Sequence, residues 1–432
     1  MKILVRSVRI MDKTSPLDGQ VRDILIEEGR IAQIGESLTA NEAQVVEADH
    51  WCVSPGWLDL RVASRDPGFE HKEDLDSVRE AALRGGFTEI VLLPNSSPVV
   101  DAKDTLNYVR RPLGGPVRVH VTAAVTRKAE GTDFTEMIDL HRAGAVAFTD
   151  GENPIQNADI LLKALLYLRP LNALLINRPE DRQLTLYGQM NEGVTSTLLG
   201  MKGMPALAEE MMLSRDLKLL AYALEQAVLP QDHSHSDTLP MLHVSLVSTA
   251  RAVALIREAK AAGLPVSCDV AAHQLVFDDS ALLGFDTNLK VNPPFRTPAD
   301  REALRQGLAD GTIDCLVSDH SPHDEECKNL EFDHADFGIT GLETAFSLSL
   351  MHSGLPVEDI IEKLTSRPRR ILRLPVANII EGQPANLTFF APDLAWRYEK
   401  TASLSKNTPF LGQNLTGKVM GVINDGHARW FV

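Results

Sequence analysis

Several polar side chains stand where apolar runs of this chain end, and their types could do chemistry. One run closes with "SDHSPH", placing Asp319, His320 and His323 together. Others close on Asn95 ("LLPNSSP"), Asp150 ("AFTDG") and Asn177 with Arg178 ("INRPED"). Two further runs carry His243 with Leu246 ("HVSLVS") and Asp269 with His273, and "KVNPPFRTP" offers Asn292 and Arg296. An aspartate beside two histidines suits an acid/base pair, a metal centre or an anion pocket. Any one of these residues, taken singly, could equally be structural, since a lone buried carboxylate paired with an arginine is common. "DLRVASRDPG" is the odd one: it has the look of an active-site loop, yet its middle holds Arg61, Ala63 and Ser64. "QDHSHSD" sets His233 and His235 at a metal-like spacing, but in a polar loop away from any run, where a solvated loop is the simpler reading.

The elements that must position these residues follow from hydrophobic patterning. Eight short apolar runs alternate with amphipathic stretches such as "EDLDSVREAALRGG" and "TARAVALIREAKAAG", the latter stopped by Gly263. Eight strand-like runs alternating with helices predict an α/β fold, a closed (β/α)8 TIM-type barrel rather than a doubly wound open sheet. Active sites of such barrels lie at the C-terminal ends of the strands, where the polar residues stand. Both chain ends instead read as short strands and turns, "NDG" being a strong turn signal. The expected organisation is a barrel over 53–379 and one small composite β domain built from 1–52 and 380–432.

A formal net charge of -16 over 432 residues argues against nucleic acid or an anionic membrane as the main partner. No apolar run approaches a membrane span. The four cysteines (Cys52, Cys268, Cys315 and Cys327) form no CxxC pair, and a reducing cytoplasm suits them best.

Long stretches then carry a resemblance. "RDPGFEHKEDL", "GMPALAEEMMLSRDL", "LKVNPPFRTPADREALR", "DGTIDCLVSDHSPH", "FGITGLETAF" and "NTPFLGQNLTGKV" make the chain similar to the dihydroorotases of the amidohydrolase superfamily, in their long form. Allantoinases and hydantoinases are the nearest alternatives. The resemblance implies a fold with a composite β domain and interconversion of carbamoyl-aspartate and dihydroorotate, in pyrimidine synthesis. In that family a metal centre activates water and an aspartate moves the proton.

Position by position, the resemblance is uneven. The family's first-strand HxH falls on Arg61 and Ala63, and its other two histidine ligands fall on Arg178 and Leu246. Only the carboxylates Asp150 and Asp319 remain, the latter at the position of the catalytic aspartate. Arginine is not deprotonated in proteins and cannot ligate. A catalytic zinc needs about three protein ligands. The expectation is therefore a metal-free site with vestigial Asp150 and Asp319, in which Arg61 or Arg178, or both, pair with those carboxylates. A different single-metal site, drawing on His243, His273 or His320, is the alternative, and zinc is implied only there. The positions that hold the substrate carboxylate and ring in the family map onto Arg65, Asn95, Asn292 and His323. They serve either a surviving pocket for dihydroorotate or carbamoyl-aspartate, or merely as braces for loops. Degenerate members of the family assemble with aspartate carbamoyltransferase, which the resemblance implies as a partner here, together with a homo-oligomer. The competing readings are a working cyclic-amide hydrolase and a metabolite-sensing regulator.

Overall fold

The computed structural model describes residues 1–226 and 239–431. His233 and His235 lie outside the described residues.

A closed ring of parallel strands organises the middle of the chain. Trp57–Val62 pairs with Phe87–Leu92, which pairs with Arg118–Val121. On the other side Leu175–Asn177, Leu242–Val244, Val266–Ala271 and Cys315–Val317 pair in that order. The fourth run, around Phe148, fills the gap through single bridges to Ala123 and Leu175. Its backbone bonds are regular all the same: Phe148 N donates to Leu174 O at 2.9 Å and Thr149 N to Ala123 O at 2.9 Å. A bridge from Val62 to His320 closes the ring. All eight apolar runs thus supply barrel staves, as the alternation of runs and helices predicts.

Two apolar layers hold the barrel. Inside, Leu58, Leu60, Val91, Leu174, Ile176, Leu246, Cys315 and Val317 pack against one another. Outside, the strands' other faces meet the helices, for example Val78, Ala81 and Ala82 of the helix Leu75–Arg84. That helix starts where it does because Asp74 accepts from Ser77 N at 2.7 Å, in a capping box.

The chain ends share one sheet. Its order is His427–Trp430, Asn414–Asn424, Leu387–Arg397, Cys52–Pro55, Lys2–Ile10, Val21–Glu27 and Arg30–Gly35, with Gln44–Glu47 also on Lys2–Ile10. The first apolar run divides between sheet and barrel at Gly56. A Cβ there would lie 1.8 Å from Asn386 Oδ1 and 2.1 Å from Thr88 Oγ1, so only glycine lets the two units meet this closely. Among the described residues no helix is long and apolar enough to cross a membrane.

Candidate functional site

The C-terminal ends of the strands enclose a cavity of about 250 Å³. Arg61, Arg65, Arg178, Asn292, Asp319 and His323 all line it, together with Ala63, Glu152 and Asp336.

Arg61 enters from the first strand. Its Nε donates to Asp319 Oδ1 at 2.8 Å and its Nη1 reaches Ser245 Oγ at 3.4 Å. Asp59, buried one turn of the pleat below, accepts from Arg61 N at 3.0 Å and Ser318 N at 3.0 Å, and so locks the first strand to the eighth. Burial raises the Asp319 carboxyl to about 6, although the Arg61 guanidinium opposes the shift. The expected pairing of Arg61 with a surviving aspartate is thus present at Asp319.

Arg178 does not follow the same expectation. Its Nη1 lies 2.6 Å from Glu180 Oε2 and its Nη2 donates to Glu152 O at 3.0 Å, while Nε is buried without a partner. Asn292 Nδ2 donates to the same Glu180 oxygen at 3.1 Å. Burial works to raise the Glu180 carboxyl, yet Arg178, Thr185 and Asn292 together bring it below the usual carboxylate range. Asp150, for its part, meets no arginine among the described residues. Thr126 holds both its oxygens, N to Oδ1 at 2.9 Å and Oγ1 to Oδ2 at 2.5 Å, and burial raises its carboxyl. The neighbouring carboxylate Glu180, two residues along the same strand end, captures Arg178 because it is nearer than either aspartate.

The residues mapped to substrate holding are also engaged with the protein. Arg65 Nη1 lies 3.0 Å from Glu152 Oε1, its Nη2 donates to Ser321 Oγ at 2.9 Å, and its Nε donates to Pro322 O at 3.3 Å. Glu152 would rise with burial, but Arg65, Arg61 and His323 lower it on balance, so it stays ionised. His323 takes Arg65 Nη2 on its Nε2 at 3.3 Å and faces Asp336 Oδ2 with Nδ1 at 3.1 Å. Burial holds this imidazole below its ordinary value, with Asp336 acting the other way. Asn95 stands back from the cavity. Its Nδ2 donates to Asp150 O at 3.0 Å and its Oδ1 accepts from Glu152 N at 2.8 Å, bracing the loop. Gly151 permits this, since a Cβ there would meet Asn95 Oδ1 at 1.8 Å.

Leu246 has become core. It is 2 % exposed and packs into the barrel interior, although its backbone keeps a left-handed φ of 59° that costs a leucine about 1–2 kcal/mol. That conformation aims Leu246 N at Asp269 Oδ1, 2.6 Å away. Ala63, also buried, contributes only its N–H, to His320 O at 2.9 Å.

A zinc of the family's type does not fit this donor set. Two guanidiniums and two alkyl groups stand at the histidine positions, and one of the two remaining carboxylates is already paired. The alternative histidines are dispersed. His243 is held between Ser267 Oγ and Asp269 Oδ2, both at 2.8 Å, whereas His273 is buried without a partner against Phe295. His320 Nδ1 accepts from Gly341 N at 3.3 Å. Among the described residues the one group able to offer three donors is His323, Cys327 and Asp336, whose atoms lie within 4.8 Å of one another. The Lys72 ammonium stands 3.3 Å from His323 Nδ1 and 3.4 Å from Asp336 Oδ2, and already supplies the positive charge there.

Sequence reasoning missed Glu152, Glu180, Thr126, Lys72 and Asp336. Glu152 and Glu180 had a signal, each lying two residues beyond a singled-out position. Lys72 lies within the quoted stretch "RDPGFEHKEDL", whereas nothing local marks Asp336, which arrives from a separate loop.

Residues 51–225 match the family described as Dihydro-orotase-like, and residues 231–429 match the Amidohydrolase family. The chain is 40% identical over 436 residues to a dihydroorotase of Pelotomaculum thermopropionicum, covering 99% of this chain and 98% of the relative. It is 39% identical to a dihydroorotase of Syntrophotalea carbinolica, covering 100% and 99% of the two chains. Among solved structures, an L-hydantoinase from Arthrobacter aurescens superposes with a TM-score of 0.81 at 22% identity, over 100% of this chain and 97% of that one. A dihydropyrimidinase from Brevibacillus agri gives 0.78 at 20% identity, over 99% and 95%. These structural neighbours share the barrel fold.

Proposed function

The chain belongs to the dihydroorotase family of the amidohydrolases, and we propose that within it this protein is a metal-free, non-hydrolytic member serving pyrimidine biosynthesis in the cytoplasm as a structural or regulatory partner of aspartate carbamoyltransferase. One observation carries the reading. The guanidinium of Arg61, at a position where the family places a metal-binding histidine, is bonded at 2.8 Å to Asp319, at the position of the catalytic aspartate.

The chemical consequence is direct. Hydrolysis of a cyclic amide at neutral pH needs a nucleophile far stronger than free water, whose pKa is about 15.7. Asp319, with a carboxyl near 6, is too weak a base to generate hydroxide unaided. Arg61 keeps one Asp319 oxygen occupied, and the one lining hydroxyl among the described residues, Ser321 Oγ, accepts from Arg65 Nη2 at 2.9 Å. The Arg65 to Glu152 pair further disfavours a role as metabolite sensor, because the guanidinium mapped to the substrate carboxylate already holds one.

The test is metal analysis of the purified protein combined with a dihydroorotate ring-opening assay with and without added zinc. Substoichiometric metal and no turnover are expected, with co-purification of the carbamoyltransferase. Stoichiometric metal with turnover overturns the non-hydrolytic reading; absence of any complex overturns the partnership.

A further inference from the structure

A second cavity lies at the other end of the barrel, against the sheet built from the chain ends. Its volume is about 550 Å³, against 250 Å³ at the strands' C-terminal ends, and small-molecule sites take about 300–1,000 Å³. Both structural units build its wall. Glu89, Arg118 and His120 come from the strands Phe87–Leu92 and Arg118–Val121, Arg30 opens the strand Arg30–Gly35, and Arg369 comes from the helix Ser366–Ile371.

Three guanidiniums line this one space. Arg118 Nη2 lies 2.5 Å from Asp425 Oδ1, while Arg30 Nη1 bonds only a carbonyl, Gly382 O, at 2.9 Å. Arg369 is the most telling, because it is only 3% exposed. Among the described residues its Nη2 alone is bonded, to Gly56 O at 3.2 Å and Glu89 Oε1 at 2.8 Å. Its Nε is buried without a partner, and its Nη1 makes no hydrogen bond among the described residues. Buried polar groups are ordinarily satisfied, and a guanidinium has five N–H donors to place. An arginine so deeply set with two nitrogens unbonded calls for an acceptor the chain does not supply.

The acceptors around the cavity are committed already. Glu89 is held by Arg369 and Asn386 Nδ2, both at 2.8 Å, with His120 Nε2 2.5 Å from its other oxygen. Asp425 belongs to Arg118. Asn386 Oδ1 has no donor, but it lies against Gly56, which is not part of the wall. Glu28 is exposed at the mouth, where salt screens it. What the interior offers is therefore cationic N–H groups, whose charge-assisted bonds suit an oxyanion. Leu374, Pro375, Val376 and Ala377 add an apolar side to the same cavity, so the molecule that fits carries an apolar body as well.

We propose that this cavity binds a small organic oxyanion, a carboxylate or phosphate monoester on an apolar body, held by Arg30 and Arg369 between the barrel and the sheet of the chain ends. The proposal stands independently of the non-hydrolytic reading, since none of these residues lines the cavity at the strands' C-terminal ends.

Isothermal titration calorimetry at constant ionic strength tests it, with benzoate and phenyl phosphate as probes and benzyl alcohol as the uncharged control. At least one of the anions is expected to bind at one site per chain, and benzyl alcohol is not. Which anion binds tells a carboxylate ligand from a phosphate ester. Arg30→Ala, at an exposed position, is expected to weaken binding about tenfold, as for loss of one charged hydrogen bond. Arg251→Ala, an exposed arginine paired with Glu258 elsewhere, is expected to keep the wild-type affinity. Absence of saturable binding by both anions overturns the proposal, as does equal binding of benzyl alcohol. So does an Arg30→Ala variant that binds as tightly as wild type, or an equal weakening in Arg251→Ala. Should Arg30→Ala fail to fold, Ala377→Trp, which fills the cavity from its apolar side, replaces it with the same two outcomes.

Discussion

Arg61 Nε stands 2.8 Å from Asp319 Oδ1, so a guanidinium from the first barrel strand and a carboxylate from the end of the eighth form one buried ion pair across the cavity floor. Their stability is joint, because removing one partner strands the other's charge in a largely buried site.

The first expectation concerns that pair. Arg61→Met should destabilise the fold by about 3 kcal/mol at pH 8, by leaving an ionised Asp319 without its partner. Asp319 titrates near 6 in the folded protein against an ordinary 3.8, so the native state holds the proton more tightly. Its contribution therefore favours folding at low pH and declines as pH climbs from about 4 to 6. At pH 5 the carboxyl is largely neutral, and the cost of Arg61→Met should shrink. Urea unfolding at the two pH values decides it; an equal cost at both removes the electrostatic account.

Glu152 closes Arg65 to outside carboxylates in the same manner. Glu152→Gln should leave a guanidinium with an unmet demand for an anion. Dihydroorotate or carbamoyl-aspartate should then raise the melting temperature of the variant, at concentrations about tenfold lower than any effect on the wild type. If the variant and the wild type respond alike, Glu152 is not what occludes the site.

Leu246 now serves the barrel interior rather than a metal. Leu246→Ala should cost about 2–5 kcal/mol in denaturant unfolding, as for other leucines in packed cores. Leu246→His should destabilise as well and should not confer zinc binding by itself, because Arg61, Ala63 and Arg178 still offer no donor. Stoichiometric zinc in the purified single variant would contradict this.

At the opposite end of the barrel, Glu89 is buried between Arg369 Nη2 and Asn386 Nδ2, both 2.8 Å away, with His120 on its other oxygen. Burial opposes its ionisation, but His120 and Arg369 outweigh that and hold it at about 2, against an ordinary 4.5. A depressed carboxylate stabilises the fold above its unfolded value and loses that contribution as pH falls from about 4.5 to 2. Glu89→Gln should therefore cost about 3 kcal/mol at neutral pH, and the difference should fade on acidification. A cost that persists unchanged at pH 2.5 would refute the charge argument.

Much of the fold was legible because the hydrophobic period is local. The runs from "WLDLRV" to "TIDCLV" announce strands, and Asp74 with Ser77 announces a helix start, without reference to the rest of the chain. The fourth run, around Phe148, shows where locality ends: its pattern reads as a strand, yet it pairs only through single bridges. The break at Gly56 was hidden for a similar reason, since Asn386 and Thr88 make it necessary and both are distant in sequence.

By itself the sequence determined which donor atoms four key positions offer. Arginine, alanine, arginine and leucine at four positions cannot supply a metal's donors, whatever the surrounding shape. Tertiary structure alone decided where the new charges went. Arg61 found Asp319, 258 positions away, while Arg178 took Glu180 two positions along and left Asp150 to Thr126. Electrostatic pairing depends on distance and burial, and both are set by strand register and loop packing rather than by residue type. The same holds for Asn95 and Arg65, whose side chains suit an anion but whose neighbours already use them.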